Sequence, residues 1–230
     1  MAKAEDAKPD YLGHRKRLRE RFLNGGGKAL ADYEVIELLL CHAQPRRDVK
    51  PVAKRLIDRF GSLPAVFAAS REELESVAGV KEASVVMLKI VQEAALRMAW
   101  QEVLNRPVLS SWKSVIAFCH QAMAYERKEH FRLLFLDAKN MLIREEVQQT
   151  GTVNHAPVYP REVVKRALEV GASAIIMVHN HPSGDPTPSQ DDIAMTREVA
   201  QIGAKLGIAL HDHVIIGRRG HASLRSLGLL

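Results

Sequence analysis

The chain has 230 residues, room for one large domain or two small ones, and its 47% hydrophobic share supports a packed core. The formal charge is +6, but the cationic excess is spread evenly over the two halves, so bulk charge alone is weak ground for a nucleic-acid partner. No apolar run approaches the roughly 20 residues of a membrane span, and residues 1–10 are polar and charged rather than leader-like, so a cytoplasmic protein with no membrane partner is expected.

The two cysteines, Cys41 and Cys119, are far apart in apolar, helix-like stretches, and neither has metal-ligand spacing. Buried free thiols are the expectation. Residues 13–22 read as a basic helix carrying Arg15, Lys16, Arg17, Arg19 and Arg21, with Leu18 and Phe22 four apart on the packing face. A solvated charged face and a phosphate-contacting face are both open readings. Residues 33–42 form a second apolar helix. Asp48 caps a third, with Val52, Leu56 and Phe60 inward and Gly61 at its end. Ser70 caps another, with Glu73 completing a capping box.

The string Val77-Ala78-Gly79-Val80-Lys81 then leads into a long helix over residues 82–99. Helix, apolar-Gly-apolar turn and helix resemble a helix-hairpin-helix, whose turn amides hold DNA phosphates without reading sequence. Lys81 stands where that motif has a second glycine. Gly79, Lys81, Arg15 and Arg17 are thus candidate contacts for non-specific DNA; a packing element or a protein-docking module is the alternative. Asn105-Arg106-Pro107 reads as a linker, which puts an all-α domain at 1–105 and an α/β domain at 106–230.

In the second half a helix over 111–124 precedes a hairpin of strands at 130–136 and 141–149. Pro160 opens a helix that Gly171 ends. Residues 174–178 are continuously apolar, as in a strand buried on both faces. At its end stand His179 and His181, and side chains at i and i+2 on a strand point the same way. A loop stiffened by Pro182, Pro186 and Pro188 follows, with Gly184 available for a turn. Ser189 caps the next helix and Asp192 occupies its third position, from which the carboxylate aims back at the histidines. Two His and one Asp leave a coordination position for water, the pattern of catalytic zinc. The helix runs to Gly207 with Ile193, Val199, Ile202 and Leu206 inward, and a strand at 208–216 and a short final strand close the chain.

The pattern H-x-H, seven residues, S, two residues, D resembles the JAMM signature of the JAB/MPN metalloprotease domain. The longer string HNHPSGDPTPSQDD, with TGTVN and VYPREVVKRAL before it and DHVIIG after it, is similar to the RadC branch, named for DNA repair. GHRKRLRERF, PRRDVKPVAKRL and RFGSLPAV extend the likeness to the N-terminal half. The resemblance implies an MPN/JAB, cytidine-deaminase-like mixed sheet behind the helical domain. It also implies a zinc hydrolase of peptide or isopeptide bonds, with a protein, peptide or ubiquitin-like substrate. His179, His181 and Asp192 would hold Zn²⁺, and Ser189 would donate to the oxyanion. Spacing to the Gly-Thr places the family's proton-transferring glutamate on Glu146; Glu145 is the rival, and adjacent strand residues face opposite sides. His155, in the loop after Thr152, is a further residue within sequence reach. His211-Asp212-His213 is a second H-x-H without a legible third ligand, read as one His in and one out, or as support for the metal site. A DNA-binding repair or replication factor, or a metal-dependent nuclease, is the competing function.

Overall fold

The computed structural model describes residues 13–104, 107–150 and 158–230. The TGTVN string beyond Thr150, with His155, therefore lies outside the described residues, as do Asn105 and Arg106. The chain divides into two compact units, 1–92 and 93–230. Among the described residues no helix is long and apolar enough to cross a membrane.

The first unit is helical: α1 (His14–Gly25), α2 (Asp32–Ala43), α3 (Lys50–Phe60), α4 (Leu63–Ala68), α5 (Arg71–Glu75) and the start of α6 (Glu82–Leu104). Its core gathers Ile36 and Leu40 of α2, Val52 and Leu56 of α3, Val66 of α4 and Leu88 of α6. The expected capping box forms: the Ser70 hydroxyl accepts from the Glu73 amide at 3.2 Å, and the Glu73 carboxylate accepts from the Ser70 amide at 2.8 Å. Asp48 acts one residue earlier than the cap position, accepting from the Lys50 amide at 3.1 Å while Val49 is the cap residue. The short α4 has no periodicity long enough to be legible in sequence.

Gly79 has a local reason. Its φ is +93°, and a Cβ there would meet Val52 Cγ2 at 2.8 Å. Its carbonyl accepts from the Gln44 side chain at 3.0 Å, and Arg55 holds the Ala78 carbonyl at 2.8 Å. The Val80 amide donates to Val77. The left-handed backbone and the close approach of α3 both favour glycine here.

α6 continues unbroken past residue 99 to Leu104, and the compact units part between Gln92 and Glu93 rather than at the 105/106 junction. The reason is packing: Leu96, Ala99, Trp100 and Val103 join the second unit's core, where the Trp100 and Phe118 rings lie 4.6 Å apart.

The second unit adds α7 (Trp112–Met123), β1 (His130–Leu136), β2 (Leu142–Thr150), α8 (Pro160–Val170), β3 (Ala174–Asn180), α9 (Gln190–Lys205), β4 (Ala209–Gly217) and β5 (Gly220–Ser223). The sheet order is β2-β1-β3-β4-β5, with β3 and β4 parallel and the other neighbours antiparallel. The chain is thus a helical region followed by a mixed α/β domain. One face packs Leu134, Ile176 and Val214 on α7 and the end of α6; the other packs Leu133, Met177 and Phe135 on α8 and α9. Every residue of β3 is buried, as its apolar run requires. Leu206 departs from expectation: it is 51% exposed, because α9 ends at Lys205 and Leu206 is its C-cap. Cys41 and Cys119 are buried and free, and burial pushes the Cys119 thiol up to about 12.

Gly79→Ala is expected to cost about 1–3 kcal/mol from left-handed strain and the Val52 clash, measured by urea unfolding. Lys81→Ala, at an exposed position, should stay within about 0.5 kcal/mol of wild type.

Candidate metal centre

β3 delivers the histidines as strand alternation dictates. His181 follows the strand's last residue, but its amide still donates to Ile216 of β4 at 3.0 Å, so the alternation carries past Asn180. The two Nε2 atoms lie 3.0 Å apart. Asp192, in the first turn of α9, places Oδ1 3.3 Å from His179 Nε2 and Oδ2 3.6 Å from His181 Nε2. One ligand atom from each of the three lies within 4.8 Å of the others. Phe131, paired with His179 across the sheet, stacks its ring at 6.2 Å from the imidazole.

The loop between strand and helix is held by main chain. Gly184 has φ +91°, the turn its residue type allows. A Cβ on Gly217 would lie 2.5 Å from the Gly184 carbonyl, so only glycine lets the β4–β5 turn approach. The Arg218 amide donates to Gly184 at 3.1 Å, and its guanidinium donates to the Pro182 carbonyl at 2.5 Å. Ser189 caps α9 as expected: its hydroxyl accepts from the Asp192 amide at 3.1 Å and donates to Oδ2 at 2.6 Å. The Ser189 amide also donates to Oδ2, at 2.8 Å. Ser189 therefore aims the carboxylate as well as starting the helix. Burial opposes charge on Asp192, but His181, His179 and the Ser189 donors together hold its carboxyl well below the usual carboxylate range.

The donor set fits a divalent metal. A backbone carbonyl only accepts, so the 2.8 Å contact between His181 Nδ1 and Asp185 O puts a proton on Nδ1. In neutral His181 the Nε2 lone pair then faces the cluster. Imidazole nitrogen and carboxylate oxygen are preferred zinc ligands. Without a cation, Asp192 draws a proton onto His181, whose pKa is raised chiefly by that hydrogen bond.

Register separates the two glutamates. Glu146 pairs with Leu133, which pairs with Met177, on the face that carries His179. Glu145 pairs with Leu134 on the opposite face and binds Arg132. Glu146 nevertheless lies outside the three-residue cluster. Arg166 of α8 holds it at 2.6 and 2.8 Å, and Arg144 and Gln148 add contacts at 3.2 and 3.0 Å. The Arg166 hydrogen bonds hold its carboxyl down at about 2. Arg166 escaped the sequence reading, although its place on an amphipathic helix beginning at Pro160 was a usable signal.

His211 and His213 stand two apart yet diverge, because the β3–β4 register steps from Ile175–Leu210 to Ile176–Asp212 and leaves His211 as the extra residue of a bulge, which breaks the strand alternation. His211 Nε2 lies 2.6 Å from Asn140 Oδ1, away from the cluster. His213 is 0% exposed and its Nε2 lies 2.8 Å from His179 Nδ1. Burial keeps the His213 pKa well below the ordinary value. Its other nitrogen meets Thr196, a residue the sequence reading missed although it sits four after Asp192 on the same helical face. In the first unit, Arg15 donates to the carbonyls of Cys41 and Gln44 at 3.3 and 3.2 Å, and to those of Pro45 and Arg47, so its guanidinium is engaged by the end of α2. Arg15 and Arg17 nonetheless line a cavity of about 720 Å³, together with Arg46, Arg47, Lys50, Glu37 and Asp48.

Residues 109–229 match the family model described as the RadC-like JAB domain, and residues 11–86 match the UPF0758 N-terminal domain. A "UPF0758 protein" of Rhodobacter capsulatus is 59% identical over 213 residues, covering 93% of this chain and 100% of that protein.

The ion pair at Glu146 has a defined pH signature. A depressed carboxyl stabilises the fold above its unfolded value of about 4.3, and that stabilisation fades as pH falls toward about 2. Partial exposure screens it, so Glu146→Gln should cost about 1–2 kcal/mol at pH 7. The difference from wild type should shrink below about pH 4.3 in urea unfolding series.

Proposed function

Starting from the fact that this chain belongs to the RadC-like JAB family, we propose that it is a zinc-dependent hydrolase of peptide or isopeptide bonds. One observation carries the reading: two imidazole nitrogens and a carboxylate converge at the end of a fully buried strand, with ligand atoms within 4.8 Å. Zinc bound there would lower the pKa of its water toward 7 and polarise a carbonyl. His179, His181 and Asp192 would hold the ion through two imidazole nitrogens and a carboxylate. Glu146, kept ionised by Arg166, would take a proton from the attacking water and return it to the leaving amine. Ser189 turns its hydroxyl from Asp192 toward the oxyanion, as a capping hydroxyl with one proton is able to do. Among the described residues one such trio forms, with one carboxylate, and it suits this chemistry better than nuclease chemistry, which favours carboxylate-rich, two-metal sites.

Metal content and turnover on peptide and ubiquitin-like conjugates test the proposal. Glu146→Gln should retain zinc and lose about 10²–10⁴-fold in kcat; retained turnover removes Glu146 from the mechanism. Asp192→Ala should empty the site, and full occupancy in that variant overturns the ligand assignment.

The cationic cavity of the first unit favours a second reading, in which that unit holds nucleic-acid phosphates. Binding of a short duplex should then weaken with salt. Replacing Arg46, Arg47 and Lys50 by Ala should flatten the log–log salt slope by about 2–3. Salt-independent binding, or an unchanged slope, ends that reading.

A further inference from the structure

We infer that Thr196 and His213 are positioning residues that decide which nitrogen of His179 carries its proton, and thereby prepare His179 Nε2 to bind metal. The inference rests on the metal reading above, but not on any cleavage reaction.

The chain of contacts runs from α9 through β4 to β3. Thr196 Oγ1 lies 2.5 Å from the Asp192 carbonyl oxygen and 2.5 Å from His213 Nδ1. His213 Nε2 lies 2.8 Å from His179 Nδ1. A hydroxyl has one proton, and a carbonyl oxygen has none. Two oxygens 2.5 Å apart with no proton between them repel, so the Thr196 proton lies on the carbonyl contact. The contact to His213 must then be filled by the Nδ1 proton of His213, donated to Oγ1. His213 is 0% exposed and its ring nitrogens meet a hydroxyl and an imidazole, neither an anion, so it is neutral. A neutral imidazole with Nδ1 protonated presents a lone pair at Nε2. His179 must fill that contact with its own Nδ1–H. Its Nε2 then carries a lone pair toward His181 and Asp192.

Each step excludes its reverse. Protonation of His179 on Nε2 would set two lone pairs against each other across 2.8 Å at His213, and an N–H against the metal position. The same backbone carbonyl anchors the relay and belongs to a metal ligand, Asp192. His181 obtains the equivalent tautomer from the Asp185 carbonyl. The two histidines are thus set independently, one by a loop carbonyl and one by a hydroxyl–imidazole relay.

The test reads tautomers in the metal-free protein by ¹⁵N-edited NMR of the histidine rings, and zinc affinity by chelator competition. Wild type should show His179 protonated on Nδ1; protonation on Nε2 overturns the inference outright. Thr196→Val keeps the shape and removes the acceptor, so His213 loses its preferred tautomer. That variant should show His179 protonated on Nε2 and bind zinc about 10–100-fold more weakly. Thr196→Ser should restore the tautomer and bring affinity within about threefold of wild type. A Val variant with wild-type tautomer or wild-type affinity overturns the positioning role. The wild-type spectrum alone decides the tautomer if the Val variant does not fold. Failure to cleave any amide leaves these outcomes unaffected, which separates this inference from the hydrolase reading.

Discussion

Electron-pair donors forced face to face dominate the second unit. Two imidazole nitrogens stand 3.0 Å apart with a carboxylate oxygen 3.3 Å from one of them, at a place where His179 and Asp192 are buried. Such a cluster repels itself unless a cation or a proton sits within it. The fold tolerates the repulsion because each member is held from behind. His179 is held by the sheet and His213, His181 by Asp185, and Asp192 by the Ser189 cap. Releasing any one of them would let the cluster relax by separation rather than by binding.

The supports come from different structural levels. Strand alternation gives the histidines their common side, and helix capping gives the aspartate its direction. Burial of β3 on both faces makes the platform stiff: Ile176 and Val178 pack on α7 while Ile175 and Met177 pack on α8 and α9. The carboxyl end of a strand beside a parallel partner is where α/β sheets place ligands, and β3 and β4 form the parallel pair here.

Much of this was legible because it depends on local rules. The H-x-H spacing, the Ser189–Asp192 cap, the hairpin and the Ser70–Glu73 box follow from neighbours in sequence. What was not legible depends on register and on distant partners. Glu146 and Glu145 differ only in which face they take, and two irregularities in the β1–β2 register mean that counting cannot decide it. Arg166 occupies Glu146 from twenty residues away. The boundary between the units escaped because a linker-like composition followed a helix whose last turns serve the second core. Gly79 resembles a phosphate-binding turn in sequence, and its close approach to Val52 of α3 shows only in space.

The main-chain lock between Gly184 and Gly217 has a bearing on diversification. The loop is fastened by a glycine–glycine contact and main-chain hydrogen bonds, and Asp185 braces it by accepting from the Thr187 amide and hydroxyl at 3.0 and 2.7 Å, while Gln190 and Asp191 are exposed. Holding the cluster together and meeting the outside world are therefore assigned to different atoms of one short segment. Gln190 and Asp191 are free to vary with His179, His181 and Asp192 kept in place, so the rim of the cluster is able to change without rebuilding its centre.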